Sequence, residues 1–232
     1  MGMKTSNRQA KSDAAPVSAG ARMPGRITGR QVSATAATDE KRERIIRVSA
    51  RLFFEHGYAN TTIAGIAREL GVTKPYIYYY FGDKRELFEA ICWPPTVECL
   101  TAMHFDDDDP RPAHEKLALG LERLIAATIR HHPAATLPYR EPQAFGTEYR
   151  QAMRALARDF YRRMSALLET ARREGRADFD DARVTARATA SIPGFLFNWY
   201  RPDGRFDEPT LVAQLTRIAL RAAGLDVDAG QP

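Results

Sequence analysis

The segment Gly71–Leu87, GVTKPYIYYYFGDKREL, concentrates the side chains that could do chemistry. Four tyrosines, a phenylalanine and several basic residues fall within little more than two helical turns. That is too aromatic for an ordinary surface and too poor in aliphatic anchors for a core. Tyrosine hydroxyls and lysine ammonium groups donate to phosphate oxygens, and a short helix that exposes them fits the major groove of DNA. Nothing comparable points to catalysis. There is no Ser/His/Asp set, Gly-rich phosphate loop or cysteine cluster. His131 and His132 are adjacent, so on a helix they point about 100° apart and do not chelate one ion together. The acidic run Asp106–Asp109 reads as a solvated loop. The chain calls for no cofactor and no metal, and it is not expected to be an enzyme.

A scaffold has to aim this helix outward, and the flanking sequence supplies one. Ile45, Ser49, Leu52 and Phe53 recur on one face of a helix running from a Thr38 cap to Glu55. Gly57 ends it. Asn60, Thr61 and Thr62 offer the next cap, and Ile63, Ile66, Ala67 and Leu70 form the buried face of a short second helix. Gly71-Val72-Thr73 makes a tight turn into a third helix, with Thr73 as cap and Pro75 in the first turn. Two short helices joined this way match a helix-turn-helix. In the third helix Ile77 and Phe81 face the core. Lys74, Tyr76 and Tyr79 point away, and Tyr78 and Tyr80 lie at the sides. A fourth helix starts at Lys84 and is interrupted or ended by Pro94-Pro95.

The remaining sequence is helical too. Leu117, Leu121, Leu124, Ile125 and Ile129 form one stripe, and Tyr149, Met153, Leu156, Phe160, Met164, Leu167 and Leu168 another. A further helix spans about Asp181–Tyr200, kinked or broken at Pro193-Gly194, and the last runs over about Glu208–Ala223. The reading is all-α. Residues 1–38 form a basic tail, 39–91 a helix-turn-helix domain, 92–226 a larger helical domain, and 227–232 a disordered end.

Charge is unevenly distributed. The chain has 232 residues and a net charge of +5. Six cations and one anion, Asp13, within residues 1–38 account for all of it. That tail is rich in small polar residues and is not expected to order alone. It either reaches along DNA phosphates or serves only as a solubilising extension. No apolar run approaches the roughly 20 residues needed to span a bilayer, and the N-terminus lacks an apolar signal core. A cytoplasmic location without membrane association follows. Cys92 and Cys99 lie about 10 Å apart along one helix, too far for a disulfide, so reduced thiols are expected.

The run IIRVSARLFFEHGYANTTIAGIARELGVTKPYIYYYFGDKRELFEAI resembles the TetR family of bacterial transcription regulators. It shares the family's Gly-aromatic turn, Thr-Thr cap, Gly-Val-Ser/Thr turn, Tyr-x-x-Phe helix end and Lys-x-x-Leu start. The resemblance implies that Thr62 caps the second helix at a phosphate. Thr73, Lys74, Pro75 and Tyr76 would open the recognition helix, and Tyr78, Tyr79 and Tyr80 would meet phosphate or base. Lys84 would hold a phosphate at the start of the fourth helix, where a helix N-terminus also attracts one. Ala64 and Gly65 stand where many members carry a polar reader, which leaves the third helix to carry most of the specificity.

The resemblance further implies a homodimer on a palindromic double-stranded operator and a small-molecule inducer in the second domain. Ile192, Phe195, Leu196, Leu211 and Leu215 are the dimer candidates. Trp93, Met103, Phe145, Tyr149, Met153, Phe160 and Trp199 are the pocket candidates, and their bulk suggests a largely apolar ligand. Arg150, Arg154, Arg158 and Arg162 repeat every four residues. They read either as a solvated face or as an anion site, such as one for the phosphates of an acyl-CoA. The ending FNWYRPDG is similar to the corresponding helix end in members that sense fatty-acid or CoA-linked ligands. The function expected is a ligand-relieved repressor; the alternative is a helical ligand-binding or interaction protein that does not bind DNA.

Overall fold

The computed structural model describes Met23 and residues 36–225. The expected tail lies almost wholly outside the described residues, as does the expected disordered end. Ten α-helical segments follow one another, and among the described residues extended pairing is limited to one isolated bridge, Ala177 with Leu225. They are α1 (Ala36–Asn60), α2 (Ile63–Leu70), α3 (Lys74–Tyr80), α4 (Lys84–Leu100) and α5 (Ala113–Arg130). Then come α6 (Leu137–Arg140), α7 (Thr147–Arg173), α8 (Ala182–Ser191), α9 (Leu196–Trp199) and α10 (Glu208–Ala222). No described helix is long and apolar enough to cross a membrane.

Local chemistry sets the boundaries. The Thr62 hydroxyl accepts the Gly65 amide at 3.0 Å and starts α2. Gly71 ends it in the left-handed conformation, φ 68°. Asp83 accepts the Glu86 amide at 2.7 Å and starts α4, while Glu86 reaches back to the Gly82 amide. Thr73 flanks α3 in extended conformation but makes no side-chain cap bond. Gly57 breaks α1 near its end with φ 78° and ψ 163°. A side chain there would be strained and would sit 3.0 Å from Glu141 Oε1.

Two expectations about proline resolve differently. Pro94-Pro95 neither ends nor interrupts α4, which runs on to Leu100. Proline's φ suits a helix, and burial of Ile91, Trp93, Thr96 and Val97 around the pair offsets the lost amide bonds. At Pro193-Gly194 the chain does break, into a 3-10 turn between α8 and α9.

Two apolar clusters form the core. One joins α1–α4 to Leu137, Phe145, Tyr149 and Leu156, around Phe53, Ile66, Ile77, Phe81 and Phe88. The other joins α5, α7, α8 and α10, around Leu117, Leu121, Phe160, Met164 and Leu168. The first cluster extends along α4 as far as Val97, so this helix ties the small N-terminal helices to the larger bundle.

Candidate nucleic-acid interface and ligand cavity

Ile77 and Phe81 are buried and hold α3 against α1, α2 and α4. At 100° per residue their neighbours fall into two sets. Tyr76 and Tyr80 flank Ile77 on one side, half-buried, with ring centroids 5.4 Å apart. Burial, with the neighbouring Tyr76 hydroxyl, pushes the Tyr80 hydroxyl up to about 12. Tyr78 and Tyr79 lie on the far side, 47% and 42% exposed. Tyr76 is therefore less free, and Tyr78 freer, than the sequence reading supposed. The edge-to-face contact of Tyr79 with Tyr80, at 5.1 Å, fixes the ring that faces solvent. Thr62, Thr73, Lys74 and Pro75 are all exposed. Together with Tyr78 and Tyr79 they make one outward surface on and beside α3.

Lys84 differs from this set. Its ammonium donates to the carbonyls of Tyr58 at 2.8 Å and Thr61 at 3.0 Å, and lies 4.2 Å from the centroid of the Tyr58 ring. Two of its three donors thus close the end of α1, which leaves one for a phosphate. In the first turn of α4 the Glu86 amide is also already taken by Asp83. In α2, Ala64 is exposed, and a Cβ added at Gly65 would meet only Thr62 Oγ1 at 3.4 Å. Nothing within the described chain requires glycine at 65.

A cavity of about 250 Å³ lies between α4, α5, α6, α7 and α8. Leu100, Leu124, Met153 and Phe160 give it an apolar wall, and Cys99, Thr128, Tyr139 and Tyr161 add polar atoms. Cys99 Sγ and Thr128 Oγ1 are 3.6 Å apart, within hydrogen-bond reach. Burial pushes the Cys99 thiol up to about 11, so it stays neutral. Of the seven pocket residues expected from sequence, Met153 and Phe160 line this cavity. Tyr149 touches it only indirectly, through its hydroxyl 3.3 Å from that of the lining residue Thr96. Trp93 and Phe145 pack on Tyr149 in the N-terminal cluster. Met103 is buried in the other cluster, and Trp199 is 48% exposed.

The short helix α6 connects the cavity to the N-terminal helices. Pro138 and Tyr139 line the cavity. The next residue, Arg140, donates to the Phe54 carbonyl at 2.7 Å and lies 4.7 Å from the centroid of the Phe54 ring. Glu141 accepts the Tyr58 amide at 3.1 Å. Both contacts grip the end of α1, where Lys84 is also held.

The expected dimer residues separate. Leu196, Leu211 and Leu215 are buried in the chain's own core and Ile192 is half-buried, because α8–α10 must cover α5 and α7. Only Phe195 of that set is exposed, at 58%. Val184, Trp199 and Ile218, also on the last helices, are exposed with it.

Residues 45–91 match the family described as "Bacterial regulatory proteins, tetR family", and residues 110–223 match "Tetracyclin repressor-like, C-terminal domain". The chain is 27% identical over 186 residues to the HTH-type transcriptional repressor BepR of Brucella suis, spanning 77% of this chain and 88% of that protein. A TetR/AcrR-family regulator from Thermobifida fusca superposes with a TM-score of 0.58 at 28% identity, over 83% of this chain and all of that one. AibR, solved with isovaleryl coenzyme A and operator DNA, superposes with a TM-score of 0.63 at 20% identity, over 77% of this chain and 97% of its own.

Proposed function

The chain belongs to the TetR family of DNA-binding bacterial transcription regulators, and on that premise we propose that it is a homodimeric repressor. It binds a palindromic operator and is released by a small, largely apolar ligand. The observation that carries this reading is α3: Ile77 and Phe81 anchor it from behind, while Thr73, Lys74, Pro75, Tyr78 and Tyr79 face solvent. Pro75 offers apolar contact to thymine methyls, and the tyrosine hydroxyls and Lys74 offer donors. Thr62, and the remaining donor of Lys84, add phosphate contacts that set register. Tyr76 and Tyr80 support the exposed tyrosines from the side.

The cavity between α4 and α8 is the effector site of this reading. A bound ligand acts only by favouring one arrangement of the protein over another. A group seated against Pro138 and Tyr139 bears on α6, and Arg140 and Glu141 carry the change to the end of α1. Each reading head then turns relative to its mate, and the pair no longer fits both half-sites. Family resemblance extends the reading to a CoA-linked effector, the class bound by AibR.

Binding of the full chain to DNA from upstream of its own gene, followed by fluorescence anisotropy across a salt series, tests the proposal. Affinity should fall steeply as salt rises, with a log–log slope of several units. A slope near zero would sink it.

A further inference from the structure

The ring of Phe54, near the end of α1, is held from outside the N-terminal helices. Arg140 of α6 lies 4.7 Å from its centroid. His132, in the turn between α5 and α6, meets it edge-on with ring centroids 4.9 Å apart. Tyr200, just past α9, meets the same imidazole at 5.1 Å. His132 is thus the piece through which the C-terminal segment touches α1.

An imidazole suits this place poorly. Both ring nitrogens are shut off from solvent and have no hydrogen-bond partner among the described residues. A buried polar group left unpaired destabilises a fold, and a phenylalanine here would not. A proton makes the mismatch worse, because the imidazolium carries two N–H donors and no acceptor is in reach. The surrounding charges do not help. Arg201 bears on the ring from beside Tyr200, and Arg140 lies on Phe54. The nearby carboxylates are engaged elsewhere. Glu141 accepts the Tyr58 amide, Glu98 holds Arg130 and His131, Glu208 bears on the Tyr200 hydroxyl, and Glu55 lies 3.9 Å from His56 on the exposed side of α1. The closed joint therefore rejects a proton, and a His132 that takes one has to leave Phe54 and Tyr200 for water.

We propose that His132 is a proton-operated latch on the reading head: proton uptake opens the joint between α1 and the C-terminal segment, loosens the end of α1 and lowers operator affinity. The last step rests on the reading of the chain as an operator-binding regulator. Closed, His132 is held down to about 4 by burial and Arg201; open, it titrates as an ordinary imidazole at about 6.5. The open form therefore takes the proton first as pH falls. Linkage then raises the ratio of open to closed joint about tenfold between pH 7.5 and 5.5, and hardly at all between 8.5 and 7.5.

Amide hydrogen exchange on the full chain reads that ratio even when opening is rare. Corrected for the intrinsic rate at each pH, protection of the Tyr58 and Thr61 amides should fall about tenfold from pH 7.5 to 5.5 in the wild type. It should stay level in His132→Phe, which keeps an aromatic edge against Phe54. Over the same range the wild type should lose affinity for DNA from upstream of its gene relative to His132→Phe, by up to about tenfold in fluorescence anisotropy. An NMR titration of the wild-type imidazole needs no variant and should find His132 still neutral at pH 5.5; a midpoint at about 6.5 overturns the proposal. Equal loss of protection in both proteins, or none in either, also overturns it. Protection lost in the wild type alone, with operator affinity changing alike in both proteins, overturns the link to DNA. If neither protein binds DNA at pH 7.5, the regulatory reading falls instead, and exchange and titration still decide the latch.

Discussion

Tyr79 and Lys84 both belong to the proposed reading surface, yet their surroundings assign them different effects. Tyr79 is exposed on α3, with its ring braced by Tyr80. Tyr79→Ala should change the ranking of operator variants in an anisotropy panel and leave the melting temperature within a few degrees. Lys84 closes the end of α1 through two carbonyls. Lys84→Ala should lower stability by about 1.5–3 kcal/mol in urea denaturation, because bonds to a charged donor are lost. It should also weaken all DNA sequences alike and reduce the salt slope by about 1. Gly65 gives a sharper residue-scale test. Space for a methyl exists within the chain, so Gly65→Ala should stabilise α2 by about 0.5–1 kcal/mol. If DNA backbone approaches that position, operator affinity should fall in the same variant; unchanged affinity would show that the glycine has no part in docking. Much of this surface was legible in sequence. The spacing of Ile77 and Phe81 identified the inner face, and the run of tyrosines identified the outer one. What spacing could not separate was Tyr76 from Tyr78. Both lie about 100° from Ile77, and only the packing of α3 against its neighbours decides which side is covered.

The elements that join cavity to reading head show why the site was only partly readable. Met153 and Phe160 were identifiable because both lie on the inner stripe of α7. Cys99, Thr128, Pro138 and Tyr139 come from α4, α5 and α6, and no local pattern announces that these three elements converge on α7. Trp93, Phe145 and Tyr149 have the same chemistry as pocket residues, but they are spent closing the first cluster. The α6 grip on α1 is likewise invisible in sequence, since Arg140 and Phe54 are 86 residues apart. If that grip carries the effector signal, Arg140→Ala should shrink the drop in operator affinity caused by saturating octanoyl-coenzyme A by about fivefold or more, a typical coupling of 1–3 kcal/mol. Direct binding of the thioester, read by calorimetry, separates lost coupling from lost ligand. A second junction lies beside it. His132 is wedged between Phe54, with ring centroids 4.9 Å apart, and Tyr200, at 5.1 Å, and neither of its ring nitrogens has a hydrogen-bond partner among the described residues. Burial, with the nearby charge of Arg201, lowers it to about 4 from the usual 6.5. As pH falls, the unfolded chain takes up this proton first, so the stability His132 contributes is full above about pH 6.5 and is lost on the way down to about 4. His132→Phe should remove that component from the pH dependence of the melting temperature.

At the scale of the whole molecule, α3 is short, and in the proposed reading a second copy supplies the other half-site. The apolar face that remains once the chain has folded says which surface is available for that contact. Leu196, Leu211 and Leu215 are consumed internally, whereas Val184, Phe195, Trp199 and Ile218 stay exposed on the helices that close the bundle. Large apolar side chains left exposed on the helices that close the bundle are the candidates for the contact in the proposed dimer. Of the five residues the sequence reading offered for that contact, Leu196, Leu211 and Leu215 turn to the chain's own core. Periodicity shows that a helix has two apolar sides but not which one its own core takes. Phe195→Glu/Ile218→Glu places two charges on that surface and leaves the buried leucines untouched. The variant should sediment as a monomer at micromolar concentration, keep its helical circular dichroism, and lose at least a hundredfold in affinity for a palindromic operator. Its affinity for a single half-site should match that of the wild type, because α3 is intact. A variant that stays dimeric would move the interface elsewhere. One that is monomeric yet binds the full operator undiminished would show that a single reading head suffices, and the geometry by which an effector turns one head against the other would then have nothing to act on.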